Sequence, residues 1–117
     1  MSSNIREFTA QDAGQQELTW SVPITGPSPA TPFWVNVQCF NIPTDGMLGF
    51  SVTCQSQGVQ PVNVPIQHIT NPNEMLGVQV TGWPAGAQGE VTVYYQPGAT
   101  PPPSGASIQV SVTVPAV

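Results

Sequence analysis

The chain has 117 residues, of which 39% are hydrophobic and only 6% are charged, and its formal net charge is −5. This length is typical of an ordinary single domain, so we predict one domain over residues 1–117. The chain has no lysine, and Arg6 is its only strong base. The composition therefore argues against nucleic-acid binding and a polybasic membrane anchor, since both need several basic side chains.

The N-terminal residues show no secretion signal. Residues 1–7 lack a basic stretch followed by an apolar one, and no apolar run in the chain reaches the length of a transmembrane helix. We therefore predict a protein made in the cytoplasm without a cleaved signal peptide and without membrane insertion. The sequence indicates no final location.

Alternation of polar and apolar residues predicts strands along the whole chain. In chain order they are Ile5–Thr9 (a weak candidate), Glu17–Ile24, Phe33–Phe40, Leu48–Gln55, Val59–Ile69, a strand through Leu76, Val78 and Val80, and two last strands through residues 91–95 and 108–114. Pro65 predicts an edge strand or a bulge, because a central strand needs its N–H. With no helical periodicity, the pattern predicts an all-β antiparallel sandwich of seven or eight strands, with immunoglobulin-like or jelly-roll topology.

The two cysteines occupy strands on either side of the turn predicted at Asp45-Gly46. If these strands form a hairpin, Cys39 and Cys54 face each other, and a disulfide between them would stabilise the fold by about 3 kcal/mol. Directly opposed strand residues often have poor disulfide geometry, and buried free cysteine is common. We therefore favour free thiols, with the disulfide as the alternative.

Catalytic and metal-binding patterns are sparse. His68 is the only histidine, and its position at the end of a strand predicts a side chain half-buried against the core. A hydrolase using His68 is a remote hypothesis, because the sequence lacks a Gly-x-Ser-x-Gly elbow. The six carboxylates are separated along the chain, and no metal-ligand spacing is present. We predict no enzyme activity, no metal and no cofactor.

Aromatic residues on the predicted solvent-facing sides of strands are the main functional candidates. They are Trp34, Phe40, Trp83 and Tyr94, with Asn36 and Gln38 as neighbouring polar residues. Three interpretations are open: packing between sheets, an interface patch rich in binding energy, or platforms on which sugar rings stack.

Taken together, these features predict a non-enzymatic structural or interaction module. We expect self-association or incorporation into a larger protein assembly, as a shell, tail, fibre or decoration component. A surface of uncharged amides and hydroxyls costs less to desolvate than an ionised one, so it suits contact with a neighbouring subunit. The same property suits a neutral glycan. A lectin or carbohydrate-binding module, with Trp34, Trp83 and Tyr94 stacking on the sugar, is therefore the alternative function.

Overall fold

The computed structural model describes residues 3–7, 17–100, 102–103 and 105–114, the first of these ranges by its backbone alone. These residues form eight strands and no helix. The strands are β1 (Ser3–Glu7), β2 (Leu18–Thr25), β3 (Phe33–Phe40), β4 (Met47–Cys54), β5 (Val62–His68), β6 (Met75–Val80), β7 (Gln88–Gln96) and β8 (Ser107–Thr113). The weakly predicted first strand is present, but it begins earlier than expected, and Phe8 and Thr9 lie outside the described residues.

The strands form two antiparallel sheets of four. The first sheet has the order β1-β8-β3-β6 and the second the order β2-β7-β4-β5. The pairs β1·β8, β2·β7, β3·β6 and β4·β5 are nested, so the chain folds as one long hairpin whose two arms pass together from sheet to sheet. The predicted all-β class and antiparallel pairing are confirmed. No helix of the described residues has the length and apolar character needed to cross a membrane.

Both sheets contribute to one hydrophobic core. Val35, Val37 and Val110 from the first sheet are buried in the same cluster as Phe50 and Val93 from the second. Their neighbours along each strand are more exposed, as the alternating sequence predicts for strands with one buried face. β4 is an exception, with a continuous buried run from Leu48 to Val52.

Pro65 lies in an edge strand that also contains a bulge, so the prediction made from this proline is confirmed. β5 is the outer strand of the second sheet. Leu48 pairs with Gln67 and Phe50 with Val64, which leaves Gly49 opposite two residues of β5. A Cβ atom at Gly49 would lie 2.7 Å from the backbone nitrogen of Ile66, so only glycine allows this close approach.

The bulge also explains why β5 departs from its predicted alternation. Beyond it, Ile66 and His68 are exposed rather than turned toward the core. The prediction of a half-buried His68 is therefore wrong. A bulge adds one residue to a strand, and the faces of the following side chains change accordingly.

The predicted hairpin between Cys39 and Cys54 does not form. β3 and β4 belong to different sheets, and the chain between them crosses from one sheet to the other. Cys39 lies opposite Ile108 of β8, whereas Cys54 lies opposite Gly89 of β7. Both cysteines are free in the structure, Cys39 buried and Cys54 half-buried.

The two thiols are expected to differ in reactivity. Burial, and secondarily the charge of Glu74, raises the pKa of Cys39 to about 12, so its nucleophilic thiolate is scarce at neutral pH. Iodoacetamide should therefore alkylate Cys54 of the native protein well before Cys39. Peptide mass spectrometry after short labelling times checks this. Equal labelling of both cysteines in the folded protein would contradict the expectation, and unfolding in denaturant should make both reactive.

Candidate interaction surface

The outward side of β8, β3 and β6, three neighbouring strands of the first sheet, has no charged side chain, and we call it the uncharged face. β1 continues the sheet beyond β8, with Glu7 opposite Ser107 in the strand register. The uncharged face consists of every second residue of its three strands. The residues between them point to the opposite side of the sheet and are mostly buried. The members of the uncharged face are Trp34, Asn36, Gln38 and Phe40 of β3, Met75, Gly77 and Gln79 of β6, and Ser107, Gln109, Ser111 and Thr113 of β8. Hydroxyl and amide groups therefore cover most of this face.

Strand register places these side chains in rows across the sheet. Trp34 lies between Gln79 on β6 and Thr113 on β8. Gln38, four residues along β3, lies between Met75 and Gln109. Each of these two rows combines one large apolar side chain with polar neighbours, so apolar side chains are set into a polar surface.

Two amide side chains of the face are held by hydrogen bonds. The Asn36 Nδ2 group donates to Thr113 Oγ1 at 3.3 Å. The Gln38 Nε2 group donates to the carbonyl oxygen of Asn73 at 2.7 Å and to that of Cys39 at 3.1 Å. Because these bonds fix the side chains before any partner arrives, binding there would cost little additional side-chain entropy.

Exposed apolar area is concentrated on this face. Trp34 is 42% exposed, Phe40 38% and Met75 58%. The described residues include five exposed large hydrophobic side chains, and these three all belong to the uncharged face. The other two, Ile66 and Val114, lie elsewhere. Phe40 and Met75 are diagonal neighbours across β3 and β6, a separation that aromatic and long side chains bridge.

Trp83 does not belong to this surface, so the prediction that it faces solvent is wrong. Its side chain is only 5% exposed and packs edge-to-face on Phe33, with ring centroids 5.2 Å apart. β6 ends at Val80, and Gly82 has a positive φ of 83°. The strand alternation therefore stops before Trp83, and the following segment turns its ring into the core.

Tyr94 lies on a different sheet from Trp34. It belongs to β7, between Thr19 of β2 and Gly49 of β4, and is half-buried. The structure thus brings together Trp34, Asn36, Gln38 and Phe40 but separates them from Trp83 and Tyr94. A sugar site that uses Trp34, Trp83 and Tyr94 together is not formed.

Proline-rich loops at one end of the molecule form a second feature, which the sequence pattern did not identify. Pro43, Pro72 and Thr100 line two adjoining grooves of about 340 and 290 Å³. Asp45 joins two of the loops, because its Oδ2 atom accepts a 2.9 Å hydrogen bond from the Thr100 N–H. Hydrogen bonds from Thr100 hold the pKa of Asp45 below its ordinary value. The sequence does not indicate these grooves, because the loops that form them are far from one another along the chain.

A third groove, of about 490 Å³, lies at the ends of β2 and β8. Apolar and proline residues line it, among them Ile24, Pro27 and Val112. Within the described part of the chain, no group of three or more histidine, cysteine, aspartate or glutamate side chains is placed to hold a metal ion. The uncharged face is therefore the best-developed candidate for a functional surface.

Comparison with known proteins does not identify this one. No protein-family model matches the chain, and neither a curated protein nor a solved structure matches it. Function therefore has to be inferred from the geometry of the molecule.

Proposed function

We propose that the protein is a non-enzymatic subunit of a homo-oligomer or larger assembly, and that the uncharged face is its contact surface. The observation that carries this proposal is that Trp34, Phe40 and Met75, three of the five exposed large hydrophobic side chains of the described residues, all lie on the uncharged face. Buried tryptophan and other large apolar anchors provide much of the energy at protein interfaces, whereas ionised groups are depleted at interface centres.

Electrostatics supports the choice of face. The molecule carries a net charge of −5, so two copies repel each other wherever their carboxylates approach. Glu90 lies on the second sheet, and Asp45 lies in a loop at one end. Contact centred on β3 and β6 keeps these groups apart and lies at the opposite edge of the sheet from β1, which contains Glu7.

The nested strand order is compatible with an assembly role at the level of the fold. We propose that the two sheets pack face to face as a jelly roll, the double-sheet architecture found in viral capsid and lectin domains. Fold alone does not decide function, and this architecture is compatible with both of the functions we considered. We therefore base the choice between assembly and glycan binding on the surface and not on the fold.

Substitution of Trp34 by glutamine tests the proposal. We expect the variant to remain folded, because Trp34 is already 42% exposed, and to raise the dissociation constant of self-association by about tenfold or more. Light scattering coupled to size-exclusion chromatography measures the change. Ile66→Gln is the matched control, since Ile66 is 41% exposed but lies on the other sheet. Equal association of both variants and the unchanged protein would count against this face.

A neutral glycan is a second candidate ligand, favoured by the exposed Trp34 ring beside the amides of Asn36 and Gln79. An aromatic ring with adjacent amides could stack on one sugar and hydrogen-bond to its hydroxyls. A glycan array separates the two functions. Glycan binding by a monomer that is lost in Trp34→Gln would favour this second function over assembly.

A further inference from the structure

Within the part of the chain that the structure describes, three of the four sheet edges carry features that hinder pairing with another chain. β2 contains Pro23, and β5 contains Pro65 and a bulge. β1 contains the charged residues Arg6 and Glu7. Proline, charge and bulges are the usual means by which proteins protect sheet edges. β6, the remaining edge, has the sequence MLGVQV and carries none of these features.

Hydrogen-bond geometry shows which backbone groups of β6 face outward. The Cys39 N–H donates to the Glu74 carbonyl at 2.7 Å, which continues the β3–β6 ladder beyond Met75. In an antiparallel pair, residues alternate between those bonded to the partner strand and those facing away from it. The N–H and C=O groups of Met75, Gly77 and Gln79 therefore face the free edge.

The same reasoning shows that the edge of β2 is blocked. The Gly26 N–H donates to the Ala87 carbonyl at 2.7 Å, continuing the β2–β7 ladder. Alternation then places Thr19 and Pro23 among the residues whose backbone groups face the free edge. Proline has no N–H, so it interrupts that edge where another strand would need a donor.

We propose that β6 pairs antiparallel with β6 of a second copy, joining two first sheets into one continuous sheet. This inference rests on the proposed function, because it takes self-association as given. It adds an edge contact that makes the uncharged faces of two copies continuous with each other. Centring the pair on Gly77 places Met75 of one copy opposite Gln79 of the other. All three outward-facing residues then pair within the bounds of β6, whereas shifting the centre by two residues leaves at least one of them outside the strand.

The side chains along β6 are compatible with a second copy of the chain as the partner of this edge. With Gly77 opposite itself, the half-buried Leu76 of one copy lies opposite Val78 of the other, so both become better covered. Trp34 would flank the junction, because its Cε3 atom lies 3.8 Å from where a Cβ of Gly77 would be. The nearest carboxylate, that of Glu74, accepts hydrogen bonds from Thr70 of its own loop. Two negatively charged molecules therefore meet where neither presents a charged strand residue.

Proline substitution tests the edge without disturbing the β3–β6 ladder. Gln79→Pro removes an outward-facing N–H and leaves the bonds from Val78 and Val80 toward β3. Thr19→Pro makes the same change on the edge of β2 and serves as the control. We expect Gln79→Pro to raise the dissociation constant by about tenfold or more, since paired carbonyls lose their donors, and Thr19→Pro to leave it unchanged. Circular dichroism checks that both variants remain folded.

A disulfide trap tests the register and does not depend on proline being tolerated. Met75→Cys and Gln79→Cys are introduced together with Cys54→Ser. The pairing places residue 75 of one copy about 5.5 Å from residue 79 of the other between Cα atoms, within disulfide range. Along one strand these residues are about 13 Å apart, too far for a bridge within one chain. We expect a covalent dimer on oxidation, while Ser21→Cys with Thr25→Cys on β2 should give none.

The outcomes separate this inference from the proposed function. An oligomer that Gln79→Pro leaves intact, and that the cysteine pair does not cross-link, overturns edge pairing but leaves assembly through the face standing. A protein that remains monomeric at the highest soluble concentration overturns both. Cross-linking at residues 75 and 79, together with weakened association of Gln79→Pro, supports edge pairing and self-association, while Trp34→Gln measures the contribution of the uncharged face separately.

Discussion

Trp83→Ala is expected to lower the free energy of unfolding by about 3–5 kcal/mol, the usual cost of removing a large aromatic side chain from a core. Trp83 is buried, packs on Phe33 and covers Gly89. Small domains are stable by only about 5–15 kcal/mol in total, so this single change would remove a large part of the stability. Urea unfolding followed by circular dichroism provides the measurement.

Trp34→Ala is the matched comparison, because it removes the same side chain from a half-exposed position. We expect it to cost much less stability than Trp83→Ala, since fewer of its contacts are lost on truncation. If Trp34→Ala cost more stability than Trp83→Ala, Trp34 would belong to the core and could not lie on an exposed face. Comparable losses in the two variants would contradict the account equally.

Gly89→Ala is expected to be the second strongly destabilising change. A Cβ atom at this position would overlap the carbonyl oxygen of Thr53 and lie 2.5 Å from the Trp83 ring. The crowded backbone of β4 cannot move without disturbing the second sheet, so we expect a loss of about 1–3 kcal/mol or more. Thermal unfolding monitored by calorimetry would show the lower midpoint.

Gly77→Ala provides the control for this prediction. The added methyl group would meet the Oδ1 atom of Asn36 at 2.8 Å, but that atom is at the end of a side chain held by a single 3.3 Å hydrogen bond, so it can shift at a small cost. Its loss should therefore be clearly smaller than that of Gly89→Ala. If Gly89→Ala unfolds at the same temperature as the unchanged protein, the close packing of Trp83 against β4 and β7 is not as described.

Local sequence patterns predicted the strands well, because whether a segment forms a strand depends mainly on the residues within that segment. Alternation at Val35 and Val37 predicted which face of β3 is buried, and Pro65 predicted an irregular edge. A strand needs only a period of two and suitable residues, and both can be read within a short window. The buried Trp83 was missed because the backbone turn at Gly82 ends the period before it.

Which strands pair with each other was much harder to predict from the sequence. The turn around Asp45-Gly46 suggests a hairpin, yet β3 and β4 lie in different sheets, and Cys39 lies opposite Ile108 of β8 and not opposite Cys54. Neighbouring strands in sequence pair only when the chain stays in one sheet, and local patterns do not report when it crosses. The uncharged face likewise depends on β8 lying beside β3, far apart along the chain.

The evenly low charge of the sequence nevertheless indicated the kind of function proposed. Scarcity of ionised groups is a property of the whole chain, so it can be read from the sequence without knowing how the strands pair. Composition could not show where the apolar side chains gather. That required the register that places Met75 beside Gln38, and therefore near Phe40.

Sedimentation velocity of the unaltered protein over a wide concentration series measures self-association itself. We expect a sedimentation coefficient that rises with concentration toward that of a dimer or larger assembly, as subunits meet through the uncharged face. A single coefficient, equal to that of a monomer at every concentration, would contradict this expectation.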